Sequence, residues 1–179
     1  MMEGNHIHIR ELKSEDAEAL LHLQKENRAF FEKYSMLRED SFYTTKAQLD
    51  RIKKFEKGIK QDSEYNFGIF KNEDQELIGT VNLFQVLRGS LQSAIIGYFL
   101  DKQHNGQGFT TEAVQLLVKY AFEELDLHRV EAGVMPHNIG SLRVLEKAGF
   151  HKEGIARKNV KINGQWEDHQ VLAVLNPED

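Results

Sequence analysis

The spacing of apolar residues along the chain switches repeatedly between helical and strand periods. Ile7, Ile9 and Leu12 flank a short first strand, with polar residues between them. Ala17, Leu20, Leu21 and Leu23 then share one side of a helix for which Ser14 is the expected cap. Residues 26–43 hold Phe30, Phe31, Tyr34, Met36, Leu37, Phe42 and Tyr43 without a clear period, which fits a second helical piece or a loop. Its aromatics serve either as core filling or as the wall of a binding site. Thr45-x-x-Gln48 carries the capping-box signal for a helix to about Lys60, with Leu49, Ile52, Phe55 and Ile59 on its inner face.

The pattern then turns to strands. Tyr65, Phe67, Ile69 and Phe70 form one, and Leu77, Ile78, Thr80, Val81, Leu83 and Phe84 the next, with a hairpin turn at 72–75. Residues 94–113 organise the rest. Ile95, Ile96, Tyr98, Phe99 and Leu100 leave no polar face, so this strand is expected inside a sheet. The turn Gln103-x-x-Gly106-x-Gly108 follows, and a helix opens after it with Ala113, Leu116, Leu117, Tyr120 and Ala121 as its apolar stripe. Residues 130–135 read as a further strand, parallel to the organising one because a helix connects them. Asn138 starts another helix with Leu142, Val144, Leu145 and Ala148 inward and Gly149 just past its end. Two strands near 151–162 and 166–175 close the chain around Asn163-Gly164, a strong hairpin signal. There is no internal repeat, low-complexity tract or linker.

Bulk properties narrow the function. A length of 179 residues fits a single domain, 1–179, with a sizeable core. No apolar run approaches the roughly 20 residues of a membrane helix, and the first residues lack signal-peptide character. A cytoplasmic location is the default expectation. With no cysteine, disulfides, thiolate metal sites and a Cys nucleophile are excluded, and the histidines show no metal spacing, so no metal is expected. The formal net charge of −5 argues against a nucleic-acid surface and favours a basic protein or polyamine as partner.

The chemistry concentrates at the glycine turn. Glycines permit positive φ and close approach of a ligand to the backbone. The helix behind them offers free N–H groups and the positive end of its dipole, which together bind phosphate without a lysine. A Walker A motif is excluded because no Gly-Lys-Ser/Thr follows, and Thr111 stands where the dinucleotide fingerprint needs Gly or Ala. Pro136 lacks an N–H, so pairing between the two parallel strands is expected to stop there and open a crevice. A pantetheine arm could pair with the freed backbone of residues 98–100. Asn138 and Ser141 would stand at the crevice mouth, or serve only as N-cap and N3 of the helix.

These two motifs, Gln103-x-x-Gly106-x-Gly108-Phe-Thr-Thr-Glu-Ala and Asn138-x-x-Ser141-x-x-Val144-x-Glu146-Lys147-x-Gly149-Phe150-x-x-Glu153-Gly154, resemble the GNAT superfamily of acyl-CoA N-acyltransferases. The second half is similar to the branch that acetylates the N-termini of ribosomal proteins. The resemblance covers nearly the whole chain. It implies an α/β fold with a central, mostly antiparallel sheet splayed between two parallel strands and helices on both faces. It implies acetyl-CoA as coenzyme and a primary amine as acceptor, in a ternary complex. The backbone of Phe99, Leu100 and Asp101 would pair with pantetheine. Asn105, Gly106, Gln107, Gly108, Phe109 and Thr110 would hold the pyrophosphate, and Gln103 would also contact the coenzyme. Asn138 would bond the pantetheine arm, and Ser141 would lie near the sulfur. The Phe99 N–H would serve as oxyanion donor.

Many superfamily members place a Tyr seven residues after the Asn as the acid; here that residue is Leu145. Ser141 is then the candidate, acting through a hydrogen bond or water relay, because a lone Ser is a poor acid. Val160 stands where some relatives have a Glu base, so Glu112, Glu167, Asp168 and His137 are the substitutes to consider. The acceptor is open among a protein N-terminus, a polyamine, an antibiotic amine and an amino acid. The alternatives are a CoA-binding regulatory protein without turnover and a nucleotide-binding module.

Overall fold

The computed structural model describes residues 1–179. Its strands are β1 (Met2–Glu3), β2 (Ile7–Arg10), β3 (Tyr65–Lys71), β4 (Leu77–Leu87), β5 (Ser93–Leu100), β6 (Arg129–Val134), β7 (His151–Ile162) and β8 (Gln165–Leu175). The helices are α1 (Ala17–Glu26), the single turn α2 (Arg28–Phe31), α3 (Thr45–Lys60), α4 (Phe109–Glu123) and α5 (Ile139–Lys147). One sheet joins the strands in the order β1-β2-β3-β4-β5-β6-β8-β7. Every pairing is antiparallel except β5 with β6, the pair that α4 connects.

Strand alternation sends side chains to two cores. On β3, Ile69 joins the cluster under α4, whose Ala113, Val114, Leu117 and Ala121 form the buried stripe. The next residue, Phe70, joins Leu20, Leu23 and Ile52 under α1 and α3 on the opposite face. Each fully buried Leu or Ile here contributes roughly 1.5–3 kcal/mol of transfer free energy. Helices therefore cover both faces, as the sequence pattern requires.

Local signals are read correctly at two places. Asn163 and Gly164 both take positive φ, 51° and 81°, as a two-residue hairpin needs. At the end of α5, Gly149 (φ 97°) donates to the Glu146 carbonyl and Phe150 donates to that of Leu145, a Schellman motif.

Two caps are corrected. Ser14 opens a short 3₁₀ turn, and the Asp16 carboxylate, held by Arg10, accepts the Lys13 N–H at 2.7 Å. Thr44, not Thr45, caps α3 by accepting the Ala47 N–H at 3.2 Å. Thr45 instead donates to Glu18 of α1, and Gln48 donates to the Phe42 carbonyl. Adjacent threonines are equivalent in local sequence; the contact with α1 distinguishes them.

The splay of the parallel pair decides the site. β5 and β6 pair at Ser93/Arg129, Ala94/Val130 and Ile95/Glu131, and nowhere beyond. Pro136 is not what stops them, since pairing ends five residues earlier in β6. The β4–β5 register shifts between Phe84 and Leu87, with Gln85 at φ 49°, opposite the segment where β5 leaves β6. Such a bulge adds local bend and twist. Beyond it, the last five residues of β5 keep β4 on one side and face a gap on the other.

Candidate active site

That gap is a cavity of about 580 Å³ between β5, the start of α4, the start of α5 and α2. Which β5 amides face it follows from register. Asp101 N–H donates to the Ile78 carbonyl of β4 at 2.7 Å. Thr80 lies opposite Phe99, and backbone groups alternate sides along a strand, so the Phe99 N–H also points to β4. The Phe99 amide, expected to face the crevice as oxyanion donor, therefore does not face it. Tyr98 and Leu100 present their amides to the crevice. The Phe99 side chain lines the cavity and packs on Phe31 at 4.9 Å between ring centroids.

The glycine turn is open. Gly106 and Gly108 have φ of 80° and 83°, and a Cβ at either would meet nothing within 4 Å. The first helical bond of α4 runs from the Glu112 N–H to the Gly108 carbonyl. The amides of residues 106–111 thus have no hydrogen-bond partner within the chain. Consecutive unpaired N–H groups at a helix N-terminus form an anion cradle. Asn105, Phe109, Thr110 and Thr111 line the cavity beside them. Arg143 and Lys147, one turn apart on α5, add two cations from the facing wall.

Asn138 is the N-cap of α5, its Oδ1 accepting the Ser141 N–H at 3.3 Å. Both residues also line the cavity, so capping the helix does not take them away from it. The Tyr98 hydroxyl lies 2.5 Å from Ser141 Oγ and donates at 3.3 Å to the Ser141 carbonyl in one arrangement. Burial pushes the Tyr98 phenol up to about 12, against a smaller opposing effect of its Ser141 bond, so it is protonated at neutral pH. Leu145, by contrast, is fully buried in the main core and does not line the cavity. A phenol reaches the site from β5 rather than from α5.

Other expected residues lie elsewhere. Asp101 accepts the Gln103 N–H in a short 3₁₀ turn, and the side chains of Asp101, Gln103 and Gln107 are outside the cavity lining. Glu112 accepts the His6 N–H at 2.8 Å and fastens the β1–β2 turn, so it is not free to act as base. Asp168 accepts the Lys158 N–H on β7. Val160 and Glu167 are register partners on β7 and β8, away from the crevice wall. His137 does not line the cavity, although its ring lies 6.1 Å from that of Tyr34, which does.

Sequence reading missed Arg143, Lys147 and the Tyr98–Ser141 pair. The spacing of Gly140, Val144 and Lys147 marked one face of α5, and that face would have found the lysine. Nothing local could join Tyr98 to Ser141, which are 43 residues apart. The aromatics of 26–43 divide as the sequence left open: Phe30 and Tyr34 wall the cavity, while Phe31 does so and belongs to the core under α1.

Residues 6–151 match the family model for the acetyltransferase (GNAT) domain. The chain belongs to the GNAT family of acetyltransferases. It is 64% identical over 179 residues to the probable N-acetyltransferase YjcK of Bacillus subtilis, covering 100% of this chain and 99% of the relative. It is 32% identical over 170 residues to the [ribosomal protein uS5]-alanine N-acetyltransferase of Escherichia coli, covering 95% and 88%. Among solved structures, Mycobacterium smegmatis RimJ in complex with CoA-disulfide superposes with a TM-score of 0.91 at 25% identity, covering 96% of this chain and 83% of that one. The α/β GNAT architecture inferred from the motifs is therefore the fold of this chain. No helix is long and apolar enough to cross a membrane.

Proposed function

We propose that this GNAT N-acetyltransferase uses acetyl-CoA to acetylate the N-terminal α-amine of a ribosomal or other protein. The observation that carries the reading is the row of unpartnered amides at 106–111, set beside strands that part after Ile95/Glu131. Acetyl-CoA supplies an acetyl group already activated as a thioester. The amides at 106–111 would hold its diphosphate, with Arg143 and Lys147 adding charge. The crevice-side amides of Tyr98 and Leu100 suit both pantetheine pairing and a carbonyl oxygen that gains negative charge.

Ser141 would hold the proton for the sulfur, and Tyr98 would hold the proton behind it. A thiol has a pKa of about 8.5, so this donor need not be strong. An α-amine, at about 7.7–8.0, is partly neutral near pH 7, whereas a lysine amine near 10.4 is not. The lack of any carboxylate in the cavity lining is consistent with an acceptor that needs little help to lose its proton.

The test is thiol release from acetyl-CoA with a panel of N-terminal peptides, polyamines, amino acids and aminoglycosides. The expected result is turnover with peptides carrying a free α-amine and none with α-blocked peptides that keep a lysine. Turnover confined to polyamines or other small amines would refute the acceptor assignment.

A further inference from the structure

A second cavity, of about 360 Å³, lies against the sheet below α3, and Phe99 lines both cavities. Its chemistry differs from the first. Arg38, Arg51 and Lys54 face it, and Glu64 is the single carboxylate among its lining residues. In a chain of net charge −5, Arg10, Arg28, Arg88 and Arg129 each hold a carboxylate, whereas Arg143, at the coenzyme crevice, and Arg157 do not. Arg38 and Arg51 hold none. Arg51 Nη1 donates to the Gln48 side-chain oxygen at 2.9 Å, and its guanidinium lies over Phe42 and Phe55, 4.9 and 5.3 Å from their centroids. The Arg38 guanidinium also lies over Phe42, 4.8 Å from its centroid. Aromatic faces position guanidinium planes without neutralising them.

The floor repeats the message. Asn66 on β3 and Asn82 on β4 are register partners, and Thr80 is on the same face of β4. Asn66 Nδ2 is the one buried side-chain polar atom in the protein with no hydrogen-bond partner. A buried donor left unpaired costs about 1–3 kcal/mol, a cost that a ligand acceptor would remove. Burial, with the nearby Arg38 charge, brings the Arg51 guanidinium down to about 10, which still leaves it charged at neutral pH. Charged and amide donors thus outnumber acceptors around a space next to the residue shared with the coenzyme crevice.

We infer that this second cavity is the acceptor subsite, and that it selects acceptors carrying a carboxylate, held by Arg51 with Arg38 and the Asn66 amide. The inference rests on the proposed transfer to a protein N-terminus, and it specifies an acidic residue within the first few positions of that N-terminus. Arg pairs with a carboxylate through two parallel N–H bonds, which suits a fixed guanidinium better than a mobile lysine. The cavity opposes the chain's overall charge. Net acidity would draw a basic partner, whereas the local charge here rejects one.

The experiment uses three peptides that differ only at positions two and three, as Glu, Gln or Lys, behind a free N-terminal alanine. Acetyl-CoA thiol release gives kcat/KM for the full chain and for Arg51→Gln and Arg51→Lys. The expected preference for Glu over Gln is about tenfold or more, the size of one charge-assisted hydrogen bond. That ratio should collapse toward one in Arg51→Gln and be only partly recovered in Arg51→Lys, which keeps the charge but not the two parallel N–H bonds. As a readout independent of turnover, the N-acetylated Glu peptide should raise the Tm of the protein and of Arg51→Lys, while the acetylated Gln peptide should not. Equal kcat/KM for the Glu and Gln peptides, or a preference for Lys, overturns the carboxylate subsite and leaves N-terminal acetylation standing. If no free peptide is acetylated but the acidic product still binds through Arg51, the subsite stands and the proposed acceptor class fails. If the acidic product neither binds nor turns over preferentially, the subsite is overturned.

Discussion

Removing the hydroxyl of Tyr98 is the most informative single change. Tyr98→Phe keeps the ring that fills the space between β5 and α5 and deletes the group 2.5 Å from Ser141 Oγ. A single hydrogen bond has a net worth of about 1 kcal/mol, so the variant should fold with only a small loss of Tm. The kinetic effect should be larger. A positioned acid typically contributes 10²–10⁴-fold to rate. Ser141→Ala removes the terminal donor and should lower kcat by about 10²-fold. Tyr98→Phe leaves that donor in place but unsupported, and a loss of about tenfold is expected, with CoA affinity changed less than about twofold.

Two residues that act as one relay are non-additive, so the double variant should be no slower than Ser141→Ala alone. Thiol release at saturating acetyl-CoA, paired with CoA titration, measures both quantities. An unchanged kcat in Tyr98→Phe, or a double variant slowed by the product of the single effects, refutes the relay. The sign with pH is also set. The folded-state value of about 12 lies above the ordinary 10.0, so the protonated phenol's contribution is complete below pH 10 and fades only as pH rises through 12.

Three further outcomes are expected. Gly108→Val places a β-branched side chain at φ 83°, where the left-handed backbone costs about 1–2 kcal/mol; CoA affinity measured by titration should fall about tenfold or more, and unchanged affinity would remove the cradle. Arg143→Ala and Lys147→Ala should each weaken CoA about threefold to tenfold at low salt, with the difference shrinking at high salt; a salt-independent effect would mean lost packing rather than lost charge. The Arg129 and His151 partners hold the Glu153 carboxylate down to about 2 from 4.5, so its stabilising effect is present above pH 4.5 and lost as pH falls through 2. The Tm difference between the protein and Glu153→Gln should close across that range, and a gap independent of pH would contradict the pairing.

Much of the fold was legible because burial imposes a period. The apolar stripe of α4, the two-sided apolar run of β5 and the Asn163-Gly164 hairpin each encode their conformation within a few residues. The glycine turn was legible for the same reason, since positive φ and an open approach are properties of Gly106 and Gly108 themselves. Errors came where neighbours compete. Thr44 and Thr45 are alike until Glu18 is nearby, and Pro136 looked decisive although β5 and β6 had already separated. The Phe99 amide was assigned to the crevice because motif position says nothing about which side of a strand an N–H faces; pairing with Thr80 decides it.

By itself, then, the amino-acid order determined what each segment could be: which stretches bury a face, where the backbone must turn, and that a helix would open with free N–H groups behind two glycines. Only the tertiary structure decided what those segments do to one another. It parted β5 from β6, brought Tyr98 to Ser141 across 43 residues, buried Leu145, and gathered uncompensated guanidinium groups around a cavity that ends at Phe99. The division is physical. Propensity, capping and periodicity act over a turn or two of chain, whereas strand register, desolvation and charge pairing depend on distances that exist only after the chain has packed.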